Sequence, residues 1–299
     1  MSLRLAVATE DFGTPLRRAI LLAGQSQVSG IRLNARHEIL SQNMSASALR
    51  QLSHYVQENR MEVAGLSCPT RHSLASPEYL DRRVELIRSA MALSRPLNSS
   101  SLLVSCGSIP DPAADKLPRE PGYTDAEQPA NPFSFSAQPS GDSKTITQAD
   151  QFSALCQVVS DLAGYGNHVG CILALQLPGY DVSLTEQLLE AVTTGPLQIV
   201  FDPAVAVFTD TNVIDSYRHL YHHVGYIRAR DGLRNSLYSG TETAVGDGVT
   251  PWDELMPTLI ESDYSGWVCV ERTGGDHRES DVLRGVSYLQ SLLPPPADG

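Results

Sequence analysis

The sequence of 299 residues predicts a single (β/α)8 TIM barrel. Apolar runs of strand length alternate with amphipathic helical patterns along the chain, and eight such runs occur. Eight strands that alternate with helices over this length fit a closed barrel better than an open doubly wound sheet, which usually has fewer strands. We expect one domain over residues 1–293 and a disordered tail over residues 294–299.

The eight predicted strands are short runs rich in Val, Ile and Leu, as is usual for strands buried on both faces. They cover residues 3–9, 30–34, 62–67, 101–106, 170–176, 197–202, 224–230 and 266–271. The predicted helices between them cover residues 45–59, 77–94, 147–163, 183–192, 211–222, 251–261 and 280–293.

Three of these helices carry N-terminal capping signals. Ser76 and Thr250 each precede a proline, and Ser183 opens the stretch SLTEQ. A hydroxyl side chain before a helix can accept a hydrogen bond from a first-turn amide, and proline suits the first helical position. We therefore expect these three residues to cap their helices.

Residues 108–144 interrupt the alternation of strands and helices. They are rich in Pro, Gly, Ser, Asp and Asn and show no apolar period, which predicts a long loop. The loop would follow the carboxyl end of the fourth strand, so we expect it near the barrel mouth. It is either a lid over a ligand, which Phe133 and Phe135 favour, or a surface insertion.

Composition excludes several classes of partner. The formal net charge of -12 would repel a phosphate backbone, so nucleic acid is not an expected partner. No apolar run approaches the roughly 18 residues that span a bilayer, and the start SLRLAVAT lacks the features of a signal peptide. We expect a cytoplasmic protein without a membrane partner. A homo-oligomer is compatible with the sequence, which does not determine the oligomeric state.

Two carboxylates end strongly apolar strands. Asp202 closes LQIVFD and Glu271 closes WVCVE, so each is placed at the edge of an apolar core, where its pKa can rise. Such a carboxylate suits a general base. The alternative is that both pair with nearby arginines and only close the top of the barrel.

The last quarter of the chain carries a family resemblance. The stretches YIRARDG and VGDGVTPWDELMPTLIESDYSGWVCVERTGG resemble a His-x-Lys-Asp strand, a Gly-x-Gly turn, a Trp-containing helix and a Tyr-x-Gly strand that ends in Glu. These are features of the sugar phosphate isomerases and epimerases with a xylose isomerase-like barrel. Upstream, IVFDPAVAVFT is similar to the family's strand in which Asp precedes a Pro-Ala turn. The resemblance covers nearly the whole chain.

The resemblance implies a divalent metal held by Glu, Asp, His and Glu on the fifth to eighth strands. Those positions fall on Gln176, Asp202, Arg228 and Glu271. Arginine has no lone pair to donate, and hard cations require several oxygens with summed negative charge. We therefore expect no metal cofactor, and Mn²⁺ or Mg²⁺ only if the two remaining carboxylates suffice.

The resemblance also implies isomerisation or epimerisation of a small sugar, polyol or derivative by proton transfer next to a carbonyl. Because Gln176 cannot take a proton, Glu271 would be the single base and Arg228 would replace the metal as electrophile. The alternative is a barrel that binds a carbohydrate or acidic metabolite without turnover. In that case Arg228 would form a salt bridge with Asp202 or Glu271.

Other rim residues are candidate ligand contacts. Arg230 falls on the Lys of the family's Lys-Asp pair, and Arg234 resembles an arginine that some ketose epimerases place after the seventh strand. His72 follows the third strand. Arg230 and Arg234 could hold an anion together with Arg36 and Arg71, and pairing of these arginines with surface acids is the alternative. We expect contacts to the substrate from Gln176, Asp202, Arg230, Arg234 and His72.

Overall fold

The structure is a computed structural model that describes residues 3–114, 146–236 and 239–294. Eight parallel strands close into a barrel in the order β1-β2-β3-β4-β5-β6-β7-β10, with β10 paired to β1, and a separate antiparallel hairpin joins β8 to β9. The strands are β1 (Arg4–Ala8), β2 (Gly30–Asn34), β3 (Glu62–Ser67), β4 (Ser101–Ser105), β5 (Ile172–Gln176), β6 (Leu197–Phe201), β7 (Val224–Ala229), β8 (Asp231–Ser236), β9 (Ser239–Thr243) and β10 (Trp267–Val270). The predicted (β/α)8 barrel is confirmed.

Helices surround the barrel and cover the outer faces of its strands, where the main apolar core lies. The described part of the chain contains α1 (Leu16–Gln25), α2 (Ala46–Glu58), α3 (Leu80–Met91), α4 (Gln148–Val169), α5 (Val182–Ala191), α6 (Pro203–Phe208), α7 (Val213–Leu220), α8 (Trp252–Glu261) and α9 (Arg278–Ser291). None of these helices is long and apolar enough to cross a membrane.

The eight barrel strands lie where apolar periodicity predicts them, but helices α1 and α6 and the strands β8 and β9 were not predicted. Helix α6 has six residues, too few to show a helical period, whereas the sequence of α1, LRRAILLAGQ, has apolar residues at helical spacing and was overlooked. The hairpin β8–β9 is mostly polar and largely exposed, so it lacks the alternation of a half-buried strand.

The three expected helix caps are wrong. Tyr79, not Ser76, directly precedes α3 and adopts a left-handed conformation. Asp181 caps α5 in place of Ser183, because its Oδ1 accepts a hydrogen bond of 2.9 Å from the amide of Leu184. The hydroxyl of Thr250 is buried and has no hydrogen-bond partner in the described part of the chain. Local sequence signals therefore located these helices without fixing their first residues.

The inner face of the barrel is filled by alternating small and large side chains. Alanines from β1, β3 and β5 form one buried cluster with Tyr226 and Trp267. Side chains two apart on a strand share a face, so the inward rows continue from Tyr226 to Arg228 on β7 and from Cys269 to Glu271 at the end of β10. Apolar side chains therefore fill the interior of the barrel, and charged side chains lie at its mouth, at the carboxyl ends of the strands.

The predicted lid over residues 108–144 lies mainly outside the described residues, because residues 115–145 are not part of the described structure. Residues 295–299 of the predicted disordered tail lie outside it as well. Both expectations stay predictions.

A single carboxylate organises the segment that follows β7. Asp231 is fully buried and accepts hydrogen bonds from the amides of Gly246 at 2.9 Å and Thr250 at 3.1 Å. It also accepts from the amides of Gly232 at 2.8 Å and Gly248 at 3.3 Å, and from the indole of Trp252 at 3.0 Å. The residue fastens the Gly-rich loop to the start of the hairpin.

We therefore expect Asp231→Asn to destabilise the protein by about 2–4 kcal/mol, because an amide nitrogen would face N–H donors in a buried position. Chemical denaturation measures this loss. Asp247→Asn is the matched control in the same loop, where the exposed carboxylate contacts Arg284 at 3.0 Å, and it should change the free energy of unfolding little. Equal effects of the two variants would contradict this structural role for Asp231.

Candidate functional site at the barrel mouth

Four residues predicted for the site meet at the carboxyl ends of neighbouring strands. Gln176 ends β5, Asp202 follows β6, Arg228 lies near the end of β7, and Glu271 follows β10. Arg228 is paired in register with Cys269, two residues before Glu271. Parallel strands deliver their carboxyl ends to one rim, and the two-residue period turns all four side chains inward.

The centre of the site is a buried ion pair between Glu271 and Arg228. Oε2 of Glu271 lies 2.8 Å from Nε and 2.7 Å from Nη2 of Arg228. The Glu271 side chain is 0% exposed, whereas that of Arg228 is 16% exposed and faces the mouth. Burial alone would raise the pKa of Glu271, but the charges of Arg228 and Arg32 outweigh burial and lower it. Glu271 is therefore an ionised carboxylate at neutral pH.

Asp202 is held from several sides. Its Oδ2 lies 2.8 Å from Nη1 of Arg230 and 3.5 Å from Nη1 of Arg228. Its Oδ1 accepts from the amide of Ala204 at 3.1 Å and so caps α6. The hydroxyl of Tyr180 accepts from the Asp202 amide at 2.6 Å. Both carboxylate oxygens of Asp202 thus have donors, and one oxygen is shared by two guanidinium groups.

Arg32 is a site residue that sequence reasoning missed. It lies on β2 inside the barrel, with Nε 3.1 Å from Oε1 of Glu271 and Nη1 3.0 Å from Oε1 of Glu10. Its Nη1 also donates to the hydroxyl of Ser67 at 2.5 Å. The available signal was a charged residue within the otherwise apolar run GIRLN, on the same face as Asn34.

Asp11 is a buried carboxylate of the site that was not predicted either. Its Oδ2 accepts from the amide of Arg272 at 2.8 Å. Burial and the negative charge of Glu271 raise its pKa to about 7, although Arg32 opposes this shift. This carboxylate therefore titrates close to neutral pH beside a carboxylate that stays ionised.

Two predicted contacts lie away from the cluster of Asp202, Arg228 and Glu271. Arg234 on the hairpin forms an ion pair with Asp210, which follows α6. His72 lies 3.8 Å from Glu78 in the segment before α3. The structure joins Arg230 to the cluster but brings neither Arg234 nor His72 into its ion pairs. That these two residues contact a ligand stays a prediction.

These side chains do not fit the divalent cation that the family resemblance implies. Asp202 and Glu271 already accept from guanidinium groups, and Arg228 offers no lone pair at the position of the third ligand. Among residues 3–114, 146–236 and 239–294, no three His, Cys, Asp or Glu side chains are grouped so that they could hold a metal. A guanidinium supplies the positive charge between the two carboxylates instead.

We expect Arg228→Met to destabilise the protein by about 3 kcal/mol at neutral pH, because it leaves Glu271 buried with one partner removed. In the wild type, the pKa of Glu271 is lowered from its ordinary value of 4.5. The ionised carboxylate therefore stabilises the folded protein at pH values above 4.5, and this stability is lost as the pH falls below 4.5. In the variant, burial raises that pKa, so the deficit should shrink as the pH falls towards about 5.

Urea denaturation at several pH values measures this effect. Arg234→Met is the control, because it breaks an exposed pair with Asp210 and should cost little at any pH. A deficit for Arg228→Met that does not vary with pH would contradict the coupling to Glu271.

We expect Asp11→Asn to gain stability relative to the wild type as the pH rises from 3.8 to about 7. The pKa of Asp11 is raised from 3.8 to about 7, so the folded protein holds this proton more tightly. The stability that this proton contributes is fully present below pH 3.8, and it is lost as the pH rises from 3.8 to about 7. Asparagine keeps an acceptor for the Arg272 amide but does not ionise.

The measurement is the free energy of unfolding of both proteins between about pH 5 and pH 8. Asp210→Asn, at an exposed position, should give a curve parallel to that of the wild type. A parallel curve for Asp11→Asn as well would show that Asp11 is already ionised across this range.

Comparison with solved structures places the fold among similar barrels. A xylose isomerase domain protein from Planctomyces limnophilus superposes with a TM-score of 0.74 over 98% of both chains, at 17% identity. D-psicose 3-epimerase from Clostridium cellulolyticum H10, solved with D-tagatose, superposes with a TM-score of 0.69 over 97% of this chain and 99% of its own, at 12% identity. At these identities the likeness shows the fold alone.

In sequence, an inosose dehydratase from Bacillus velezensis is 24% identical over 140 residues. The matched stretch covers 41% of this chain and 47% of that protein, so it spans less than half of the relative. The family model of the xylose isomerase-like TIM barrel matches residues 27–292, nearly the whole chain. The chain therefore belongs to the xylose isomerase-like TIM-barrel family.

Proposed function

We propose that this chain binds a small sugar, polyol or derivative at the barrel mouth without turnover and without a divalent metal. One observation carries the proposal. Glu271, at the position of the family's base and metal ligand, is completely buried, and one of its oxygens accepts a hydrogen bond from Nε of Arg228 and lies 2.7 Å from Nη2.

This ion pair makes Glu271 a poor base. Abstraction of a proton next to a carbonyl requires a base with a pKa near the working pH and within reach of the substrate. The pKa of Glu271 is lowered instead, and guanidinium groups approach both of its oxygens. Gln176, at the position of the family's other proton-transferring residue, cannot accept a proton.

The same mouth is suited to hydroxyl groups. Its charges are largely compensated internally. The side-chain amide group of Gln176 has no hydrogen-bond partner within the described part of the chain. An amide offers both donors and an acceptor, as sugar hydroxyls require. The barrel relatives support this class of ligand, since one of them is a psicose epimerase solved with a sugar.

A second candidate is isomerisation or epimerisation with Glu271 as base and Arg228 as electrophile. Two observations favour it. Oε1 of Glu271 has no aligned hydrogen bond in the described residues, despite its 3.1 Å ion contact with Arg32. Arg228 is partly exposed, so a ligand carbonyl that draws this guanidinium away would free Glu271.

The experiment combines binding and exchange measurements on a panel of ketoses, aldoses and cyclitols. We expect calorimetry to detect binding that EDTA does not change. We also expect NMR in D₂O to show no deuterium incorporation next to the carbonyl. Gln176→Ala should weaken binding about tenfold, equivalent to one good hydrogen bond. Gln187→Ala on the exposed side of α5 is the matched control and should leave the affinity unchanged.

Three outcomes would change this conclusion. Deuterium incorporation that is lost in Glu271→Gln would establish the second candidate. Binding that EDTA abolishes and Mn²⁺ restores would show that a metal takes part after all. The absence of binding for every member of the panel would remove the sugar-binding proposal.

A further inference from the structure

A second polar constellation lies beside the mouth, around the carboxylate of Glu242 on β9. Its Oε1 accepts from Nε of Arg230 at 3.0 Å and from the amide of Thr273 at 3.1 Å. Its Oε2 accepts from the hydroxyl of Thr273 at 2.6 Å and from the amide of Gly274 at 3.1 Å. Nη1 of Arg272 lies 3.6 Å from the same oxygen. Two guanidinium groups, two consecutive amides and one hydroxyl thus converge on one anion.

Contacts outside this constellation hold its donors in place. Arg230 is fixed by Asp202 at 2.8 Å, and Arg272 is fixed by Asp281 at 3.0 Å. Gly275 follows the two amides with a φ of 93°, in the region that favours glycine, and so shapes the turn that aims them at one point. The donors are therefore organised by more than Glu242.

This donor set is of the kind that binds oxyanions. Consecutive backbone amides form an anion-binding concavity, and arginines add charge-assisted hydrogen bonds. The donors follow the seventh and eighth strands of the barrel, since Arg230 comes after β7 and Thr273 comes after β10. In barrels of this architecture, phosphate sites are frequently built from the loops after those two strands.

Glu242 belongs to a surface hairpin and not to the barrel core. Its side chain is 12% exposed, and Thr273 opposite it is exposed to solvent. Burial would raise the pKa of Glu242, but Arg230 and the hydrogen bonds of Thr273 outweigh burial and lower it. The surroundings therefore favour a negative charge at a position that solutes can reach.

We propose that Arg230, Arg272, Thr273 and Gly274 form a binding site for the phosphoryl group of a small ligand, and that Glu242 occupies this site in the ligand-free protein. The inference extends the proposed function and rests on it in one respect, because it gives the sugar or polyol derivative a phosphoryl group. Arg230 contacts both Asp202 and Glu242, so the site adjoins the ion-pair cluster at the mouth.

The charge balance explains why Glu242 must leave when the ligand binds. Each arginine is shared with a second carboxylate, Asp202 or Asp281, so little positive charge remains uncompensated while Glu242 is in place. A phosphoryl group next to the Glu242 carboxylate would be repelled. When the phosphoryl group displaces the Glu242 carboxylate, the same donors bind a different anion. The phosphoryl group offers these donors one oxygen more than the carboxylate does.

The test measures the binding of inorganic phosphate by calorimetry and by the shift of Tm, against chloride at equal ionic strength. We expect Glu242→Ala to bind phosphate at least about tenfold more tightly than the wild type, since its donors no longer have an internal acceptor. Adding Thr273→Val should reverse most of that gain. Asp210→Ala is the matched control, because it frees the exposed guanidinium of Arg234 without any amide constellation.

Phosphate binding by Glu242→Ala that does not exceed that of Asp210→Ala would overturn the inference and leave Glu242 as a fastener of the hairpin. If Glu242→Ala does not fold, Glu242→Ser takes its place with the same two outcomes, because its side chain is two carbons shorter than that of glutamate and carries no carboxylate. Inorganic phosphate contains no sugar, so the result is independent of the sugar panel. Phosphate binding without sugar binding would support this site and contradict the proposed function. Sugar binding without phosphate binding would support the proposed function and contradict this site.

Discussion

The charged mouth of this barrel depends on the ion pair between Glu271 and Arg228. A carboxylate with no solvent exposure at the end of β10 would be very costly without compensating charge. Arg228 supplies that charge from the neighbouring strand, and Arg32 approaches from β2 on the other side. These arginines in turn require Asp202 and Glu10, so positive and negative groups alternate around the inner rim.

The same ion pair also bears on what chemistry this member of the family can perform. The chain belongs to the xylose isomerase-like TIM-barrel family, and fold alone does not determine chemistry. A guanidinium placed between Asp202 and Glu271 neutralises both carboxylates without offering a ligand to a metal. It also lowers the basicity of Glu271. Both effects of Arg228 support the proposal that the mouth binds a ligand without proton transfer and without a metal.

Sequence reasoning predicted the barrel well because its strands are short apolar runs separated by amphipathic helices, a local pattern. It failed at the choice of helix caps and at contacts whose partners are distant in sequence. Thr250 and Ser183 looked like helix caps, yet Asp231 organises the loop at Thr250 and Asp181 caps α5. Arg32 was overlooked because its partner Glu271 follows the last barrel strand, and strand closure alone brings the two together.

The sequence by itself determined the eightfold alternation and the placement of Gln176, Asp202, Arg228 and Glu271 at strand ends. Those features depend on residue identity and on periods of two and 3.6 residues. Only the tertiary structure decided that Arg228 pairs with both Asp202 and Glu271, and that Glu242 lies among the donors after β10. Such pairings depend on distances between strands that are far apart along the chain, and barrel closure sets those distances.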